Sequence, residues 1–277
     1  MMGGGGIQYG LSVQLGGEGL FAFALMFEQA VDRDELLFIH HGFSLSFEDR
    51  EYTTASDRAR CKALGLTFSG PAGWPVLARL RPNFTPADLT PDDAVVMQAC
   101  LEQACAFAAE IAADGFPAHP GEGRMTARLV DEEGAWQTGS VELPPFDVDF
   151  GFDHVAVERA IERVPRSADT WEARLVAVGK IQERGQPGFW GRMLLCVNSQ
   201  TGMVLPVNVL GPSARVTDAL VEVIAKANII PARIDVTSGL LQRQLAHLAQ
   251  RLGVELVRVD ELPVLEDVAS SLTERFG

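Results

Sequence analysis

Cysteine and histidine are scarce in this sequence of 277 residues. Its four cysteines lack the close pairs of a four-thiolate zinc site and are too few for a secreted disulfide framework. None of its five histidines stands in a recognisable serine- or cysteine-nucleophile motif. We therefore expect reduced thiols in a cytoplasmic protein and no nucleophilic catalysis at these residues. The cysteines are Cys61, Cys100, Cys105 and Cys196.

Targeting and membrane signals are absent as well. The first residues are Met-Met-Gly-Gly-Gly-Gly without a basic region, and the first apolar run, 20–27, is too short to cross a membrane. We expect neither export nor anchoring. The chain has enough apolar residues for a core, because 47% of them are hydrophobic.

Basic residues are fewer than acidic residues, and this imbalance is confined to one part of the chain. Lys and Arg number 23 against 37 Asp and Glu, which gives a formal charge of -14. Residues 1–170 hold 12 basic and 26 acidic residues, whereas residues 171–277 hold 11 of each. The N-terminal excess repels phosphate and excludes a general nucleic-acid coating role. The neutral C-terminal part leaves contact with nucleic acid open.

The N-terminal part has the pattern of an acidic α+β domain. Glycines 16, 17 and 19 separate two apolar stretches as in a β-hairpin, and residues 43–47 alternate like a half-buried strand. We predict this domain over 1–120, a connector with a hairpin and a helix over 121–166, and a second domain over 167–277. The first two ranges contain a helix from Ser56-Asp57 to Leu64, a helix over 92–113, a hairpin over 125–143 and a helix over 153–164.

The last third predicts the element order βββαβαβα. Strands separated by helices must be parallel neighbours, so the sheet is mixed, with an antiparallel meander on one side. The predicted strands are 171–181, 192–198, 203–210, 233–236 and 254–259, and the predicted helices are 217–227, 240–252 and 263–276.

Several residues of this region resemble the integrase and transposase branch of the ribonuclease-H-like superfamily. Trp171 opens the first strand, residues 195–198 end the second before a turn, and residues 231–239 resemble the stretch that carries a catalytic aspartate before a glycine. The resemblance implies an α/β ribonuclease-H-like domain. It also places Arg174 and Thr237 where that family has metal-binding aspartates, so two of the three carboxylates are missing.

A second resemblance covers most of the chain. Residues 47–51, residues 64–70 with Trp74-Pro75, and residues 81–86 before the 92–110 helix resemble a bacterial family of uncharacterised two-domain proteins. This resemblance implies the two-domain organisation and no activity.

Acidic residues offer two candidate metal sites. Glu172 and Asp235 lie two residues from the family positions, and Glu266 or Asp267 on the last helix would complete a displaced site for Mg²⁺ or Mn²⁺. The alternative is that these are strand-end and solvated helix residues. Asp147 and Asp149 share one face of an extended segment and would bind a metal, or else belong to a solvated acidic edge strand.

Trp74, Arg79 and Arg81 are candidates for a partner-binding surface, because tryptophan and arginine are favoured at interaction hot spots. Packing of Trp74 against a neighbouring helix is the alternative. The sequence as a whole favours a non-catalytic cytoplasmic protein that binds another protein or a small ligand, without a cofactor. The alternative is a divalent-metal-dependent nuclease or phosphotransferase with a displaced acidic site.

Overall fold

Residues 10–14, 36–115, 117–118, 120–121, 124–142, 150–206 and 208–268 are described by the structure, which is a computed structural model. Contacts divide them into two units. The first holds 10–14, 42–80 and the described residues of 86–142, and the second holds 36–41, 81–85 and the described residues of 150–268. The predicted connector is thus divided, since its hairpin belongs to the first unit and its helix to the second.

An antiparallel sheet of order β1-β2-β3 forms the base of the first unit: β1 (Gly10–Gln14), β2 (Gly42–Glu48) and β3 (Trp74–Leu80). Phe43 and Leu45 of β2 alternate into the core, where they meet Met97. The predicted strand over 43–47 is therefore confirmed. Of the predicted N-terminal hairpin only 10–14 is described, and its second arm, 20–27, lies outside the described residues.

Two helices of the first unit begin with the same N-capping motif. In α2 (Ala55–Ala63) and α3 (Pro91–Asp114), a threonine before the helix and an aspartate three residues later exchange hydrogen bonds in a capping box. The threonines are Thr54 and Thr90. The predicted boundaries of α3 are confirmed to within one residue, whereas the predicted start of α2 at Ser56-Asp57 is wrong. Thr54 is the cap, because its backbone is extended and its hydroxyl accepts from the Asp57 amide.

Among the described helices, α3 is the one whose length and apolar composition would allow it to cross a membrane. In the first unit it covers the sheet through Met97. The predicted hairpin is confirmed as β4 (Arg124–Val130) and β5 (Trp136–Glu142). Arg128 and Thr138 of this hairpin donate hydrogen bonds to Glu110 of α3.

The second unit contains a five-stranded mixed sheet. Its strands are β6 (Thr170–Ile181), β7 (Phe189–Asn198), β8 (Val209–Leu210), β9 (Arg233–Val236) and β10 (Glu255–Arg258). They lie in the order β10-β9-β6-β7-β8; β6, β7 and β8 are antiparallel, and β6, β9 and β10 are parallel. The predicted mixed sheet is confirmed.

The helices of the second unit are α1 (Leu36–Ile39), α4 (His154–Arg163), α5 (Val216–Ala227), α6 (Gly239–Leu252) and a helical segment at 263–268, called α7. The predicted order of strands and helices after residue 170 is observed. One strand was predicted too long: 203–210 forms a bridge at Val204 and then only β8. Pro206 interrupts this range, since proline has no amide hydrogen for a sheet ladder.

Candidate functional site

A cleft of about 520 Å³ opens on the first unit and is lined by basic and aromatic side chains. Arg58, Cys61 and Lys62 come from one stripe of α2, since positions three and four apart share a helix face. Trp74, at the start of β3, and Phe68 form an aromatic wall with ring centroids 5.9 Å apart. Arg50 closes the cleft. We call these residues, with the loop 65–70, the basic cleft.

Arg50 stands on a short 3-10 turn, Arg50–Tyr52, which Arg58 holds in place. The Arg58 guanidinium donates to the Thr53 carbonyl and, at 3.0 Å, to the Thr53 hydroxyl. The Thr53 hydroxyl in turn donates to the Arg50 carbonyl at 2.7 Å. The Arg50 guanidinium lies 5.9 Å from the Trp74 ring centroid, within cation–π range. One arginine of the cleft is therefore positioned by the other.

The loop between α2 and β3 requires small residues. Gly65 and Gly70 have φ of +67° and +87°, which glycine adopts without steric cost. A Cβ at Gly73 would lie 2.5 Å from the Ser69 carbonyl oxygen, so the chain turns back on itself there. The Ala72 amide donates to Asp49 at 2.6 Å and ties the loop to the Arg50 turn. This loop positions Phe68 and Ser69 in the cleft.

The basic cleft carries three cationic side chains and no lining carboxylate within the described residues. Lys62 is exposed, and no carboxylate of the described chain pairs with it. This local charge is opposite to that of residues 1–170 as a whole. The cations of the cleft thus attract an anion at close range, whereas the acidic excess of residues 1–170 repels a polyanion at long range.

A neighbouring depression shares Arg50 and Arg58 with the cleft and adds two carboxylates, Asp49 and Glu51. Asp49 is used by the Ala72 amide, whereas Glu51 is exposed. The cation-rich side of the site is therefore bounded by an acidic edge. A bound anion would avoid this edge, which restricts the direction in which it can lie.

The three residues predicted as a partner surface lie in three different surroundings. Trp74 lines the basic cleft, whereas Arg79 forms an ion pair with the buried Asp93 and lies 6.0 Å from the Phe43 ring centroid. Arg81 belongs to the second unit, where its guanidinium lies 4.5 Å from the Phe84 ring centroid. Of the three, Trp74 alone is placed to contact a ligand of the cleft.

Glu172 and Asp235 are direct register partners on the parallel strands β6 and β9, as the period of two predicts. Each carboxylate already has a partner. Glu172 accepts from the backbone amides of Leu265 and Val264, at 2.7 and 3.4 Å. Asp235 accepts from Arg233 at 2.6 Å. Glu266 is exposed on α7.

The structure does not assemble these carboxylates into a metal centre. Within the described residues, no group of three or more His, Cys, Asp or Glu side chains is arranged to hold an ion. Asp147 and Asp149 lie outside the described residues. Both metal sites therefore remain predictions from the sequence.

Arg50, Arg58 and Lys62 are cleft residues that were not predicted from the sequence. One signal was available: Arg58 and Lys62 share a helix face with Cys61, and this helix ends just before Gly65 and close in sequence to Phe68 and Trp74. Their convergence with Arg50 depends on the Thr53 hydrogen bonds, which no spacing rule indicates.

Comparison with known families gives two matches, and both lack an assigned activity. A family model described as "Domain of unknown function (DUF7309)" matches residues 1–128. Another, described as "Domain of unknown function (DUF6930)", matches residues 158–273. A search of curated proteins finds no match. The two matches indicate an uncharacterised two-domain organisation, in agreement with the resemblance to uncharacterised two-domain proteins.

Proposed function

We propose that the chain is a binding protein and that its first unit takes a small anion carrying a planar ring in the basic cleft. The observation that carries this proposal is the convergence of Arg50, Arg58 and Lys62 on Trp74 without a lining carboxylate. Guanidinium and ammonium groups bind phosphate or carboxylate oxygens, and an indole provides a stacking surface for a ring. Both groups line one opening.

The charge of the unit favours a small ligand over a polymer. A mono- or dianion meets three nearby cations, whereas a nucleic acid or a strongly acidic peptide would extend over the acidic surface around them. The volume of about 520 Å³ lies within the range of small-molecule sites. The ligand class is therefore a compact aromatic phosphate or carboxylate.

Titration calorimetry with three probes tests this function. Phenyl phosphate carries both features, whereas inorganic phosphate and phenol carry one each. We expect phenyl phosphate to bind at least tenfold more tightly than either, because ring and anion contacts add. Equal affinity of phenyl phosphate and inorganic phosphate, or the absence of heat with all three, would contradict the proposal.

Two variants locate the binding. Lys62→Ala removes an exposed cation from the cleft and should weaken phenyl phosphate about fivefold to tenfold, in line with the loss of one charge-assisted contact. Lys180→Ala removes an exposed lysine of the second unit and is the matched control. If both variants weaken binding equally, the anion is bound by general charge and not by the cleft.

A second candidate function concerns the second unit, which we propose to be ribonuclease-H-like and metal-dependent. The sheet order β10-β9-β6-β7-β8 and the neighbouring Glu172 and Asp235 support it. The engagement of both carboxylates with other partners favours the binding function instead. Cleavage of DNA or RNA that requires Mg²⁺ or Mn²⁺ and is lost in Asp235→Ala would establish the nuclease, and its absence would remove it.

A further inference from the structure

The second unit has a groove of about 620 Å³ between the neighbouring helices α4 and α5. Its floor consists of small or apolar side chains, among them Ala156 and Ala160 of α4 and Val221 and Ala225 of α5. Such a floor allows another helix to approach closely. At the start of α4, Val155 is 59% exposed.

The two edges of this groove have opposite charge and the same spacing. Arg159 and Arg163 stand one turn apart on α4, and Asp218 and Glu222 stand one turn apart on α5. No ion pair crosses the groove within the described residues. Neither Arg159 nor Arg163 has a carboxylate partner in the described part of the chain.

Asp218 accepts a hydrogen bond from the Asp153 backbone amide at 3.0 Å, and each carboxylate of the acidic edge also forms an exposed ion pair with a residue close in sequence. Asp218 forms an ion pair with Arg215, three residues earlier, at 2.7 Å. Glu222 forms one with Lys226, four residues later, at 2.8 Å. All four side chains are more than a third exposed, and such surface ion pairs contribute little to stability. A second set of cations can therefore share these carboxylates at little cost.

We propose that this groove is the interface of a symmetric homodimer, in which α4 of each copy packs against α5 of the other. A twofold axis that runs along the groove places the α4 edge of one copy against the α5 edge of its partner. Arg159 and Arg163 of one copy then face Asp218 and Glu222 of the other, and the same contacts repeat across the axis. A second copy is the occupant that the charges specify, because it supplies both edges with identical spacing.

Sedimentation equilibrium of the full chain tests the dimer through charge reversal. We expect a concentration-dependent dimer for the natural sequence. In the first variant, Arg159→Glu with Arg163→Glu, both edges are acidic; in the second, Asp218→Lys with Glu222→Lys, both are basic. Each alone should raise the dissociation constant at least tenfold, because like charges then meet across the axis. Mixed in equal amounts, the two should form a heterodimer, because every edge contact is complementary again.

The control is Arg174→Glu with Arg184→Glu, two exposed arginines outside the groove. It changes the net charge by the same amount as the first variant and should leave the dimer intact. Circular dichroism verifies folding, and Glu222→Lys alone replaces the second variant if the loss of Asp218 unfolds the chain. The proposal is overturned if the natural sequence is monomeric throughout, if the control dissociates as the variants do, or if the folded mixture stays monomeric.

Discussion

The carboxylate of Glu172 accepts a hydrogen bond of 2.7 Å from the backbone amide of Leu265, a residue 93 positions later in the chain. Glu172 is only 5% exposed, and its other oxygen faces the Val264 amide at 3.4 Å. Amides in the first turn of a helix have no acceptor within the helix, and the helix dipole favours a negative charge there. A strand residue of β6 thus caps α7.

Removal of this cap should destabilise the second unit. Glu172→Ala leaves two amides without their acceptor, one of them in a buried contact. We expect a loss of about 2 kcal/mol in the free energy of unfolding, typical for a charged acceptor lost from a buried hydrogen bond. Urea unfolding followed by circular dichroism measures it. Glu183→Ala, at an exposed turn residue, is the control and should change little.

The same variant separates a cap from a metal ligand. If Glu172 only caps α7, the difference in unfolding free energy between Glu172→Ala and the natural sequence stays the same when Mg²⁺ is added. If Glu172 binds a cation, Mg²⁺ stabilises the natural sequence and not the variant, by linkage. The second result would contradict the assignment of Glu172 as a structural residue.

Asp93 should make the stability of the first unit depend on pH. Burial raises the pKa of Asp93, but hydrogen bonds from Thr90 and Arg79 outweigh it and hold that pKa below its ordinary value of 3.8. Its contribution is therefore complete above pH 4 and is lost as the pH falls through the lowered pKa. The difference in unfolding free energy between the natural sequence and Asp93→Asn should narrow below about pH 4. Asp92→Asn, at the exposed neighbour, controls for the change in charge, and a constant difference down to low pH would contradict this role of Asp93.

The start of α3 could be predicted because its signals are local. The Thr90 hydroxyl accepts from the Asp93 amide, the Asp93 carboxylate accepts from the Thr90 amide, and Pro91 at the first helical position has no amide hydrogen that needs an acceptor. The parallel neighbours Glu172 and Asp235 could also be placed, since the strand period and the crossover rule fix the face they share. The amide partner of Glu172 could not be placed, because it depends on where α7 begins in space.

The basic cleft shows the limit of such rules. Trp74 can be recognised as a candidate from the sequence, but Arg79, which was predicted with it, lies five positions later in β3. Alternation along a strand places two such side chains on opposite faces, and Arg79 indeed reaches Asp93. The cations that do approach Trp74 come from a 3-10 turn and a helix, and tertiary hydrogen bonds around Thr53 bring them there.

Gly73 should be indispensable to the loop of the basic cleft. A Cβ there would lie 2.5 Å from the Ser69 carbonyl oxygen, closer than van der Waals contact allows. Gly73→Ala should therefore destabilise the first unit by about 1–3 kcal/mol, as overpacking against backbone does, and weaken phenyl phosphate binding. Gly211→Ala is the matched control, since nothing lies within 4 Å of its Cβ position. Equal unfolding midpoints for the two variants would show that the loop tolerates the methyl group.

Three of the four free cysteines, Cys105, Cys100 and Cys196, should react with iodoacetamide in an order that their burial sets. Cys105 is exposed and should react first, followed by the half-buried Cys100, whose pKa burial raises. Burial raises the pKa of Cys196 to about 12, which lowers its thiolate fraction at pH 8 about a thousandfold relative to the ordinary value of 9.0. Because the thiolate is the nucleophile, Cys196 should be modified only when the chain unfolds. Peptide mass spectrometry after timed labelling measures the order, with labelling in urea as the control in which all four react. Modification of Cys196 in the folded chain at the rate of Cys105 would contradict its burial in β7.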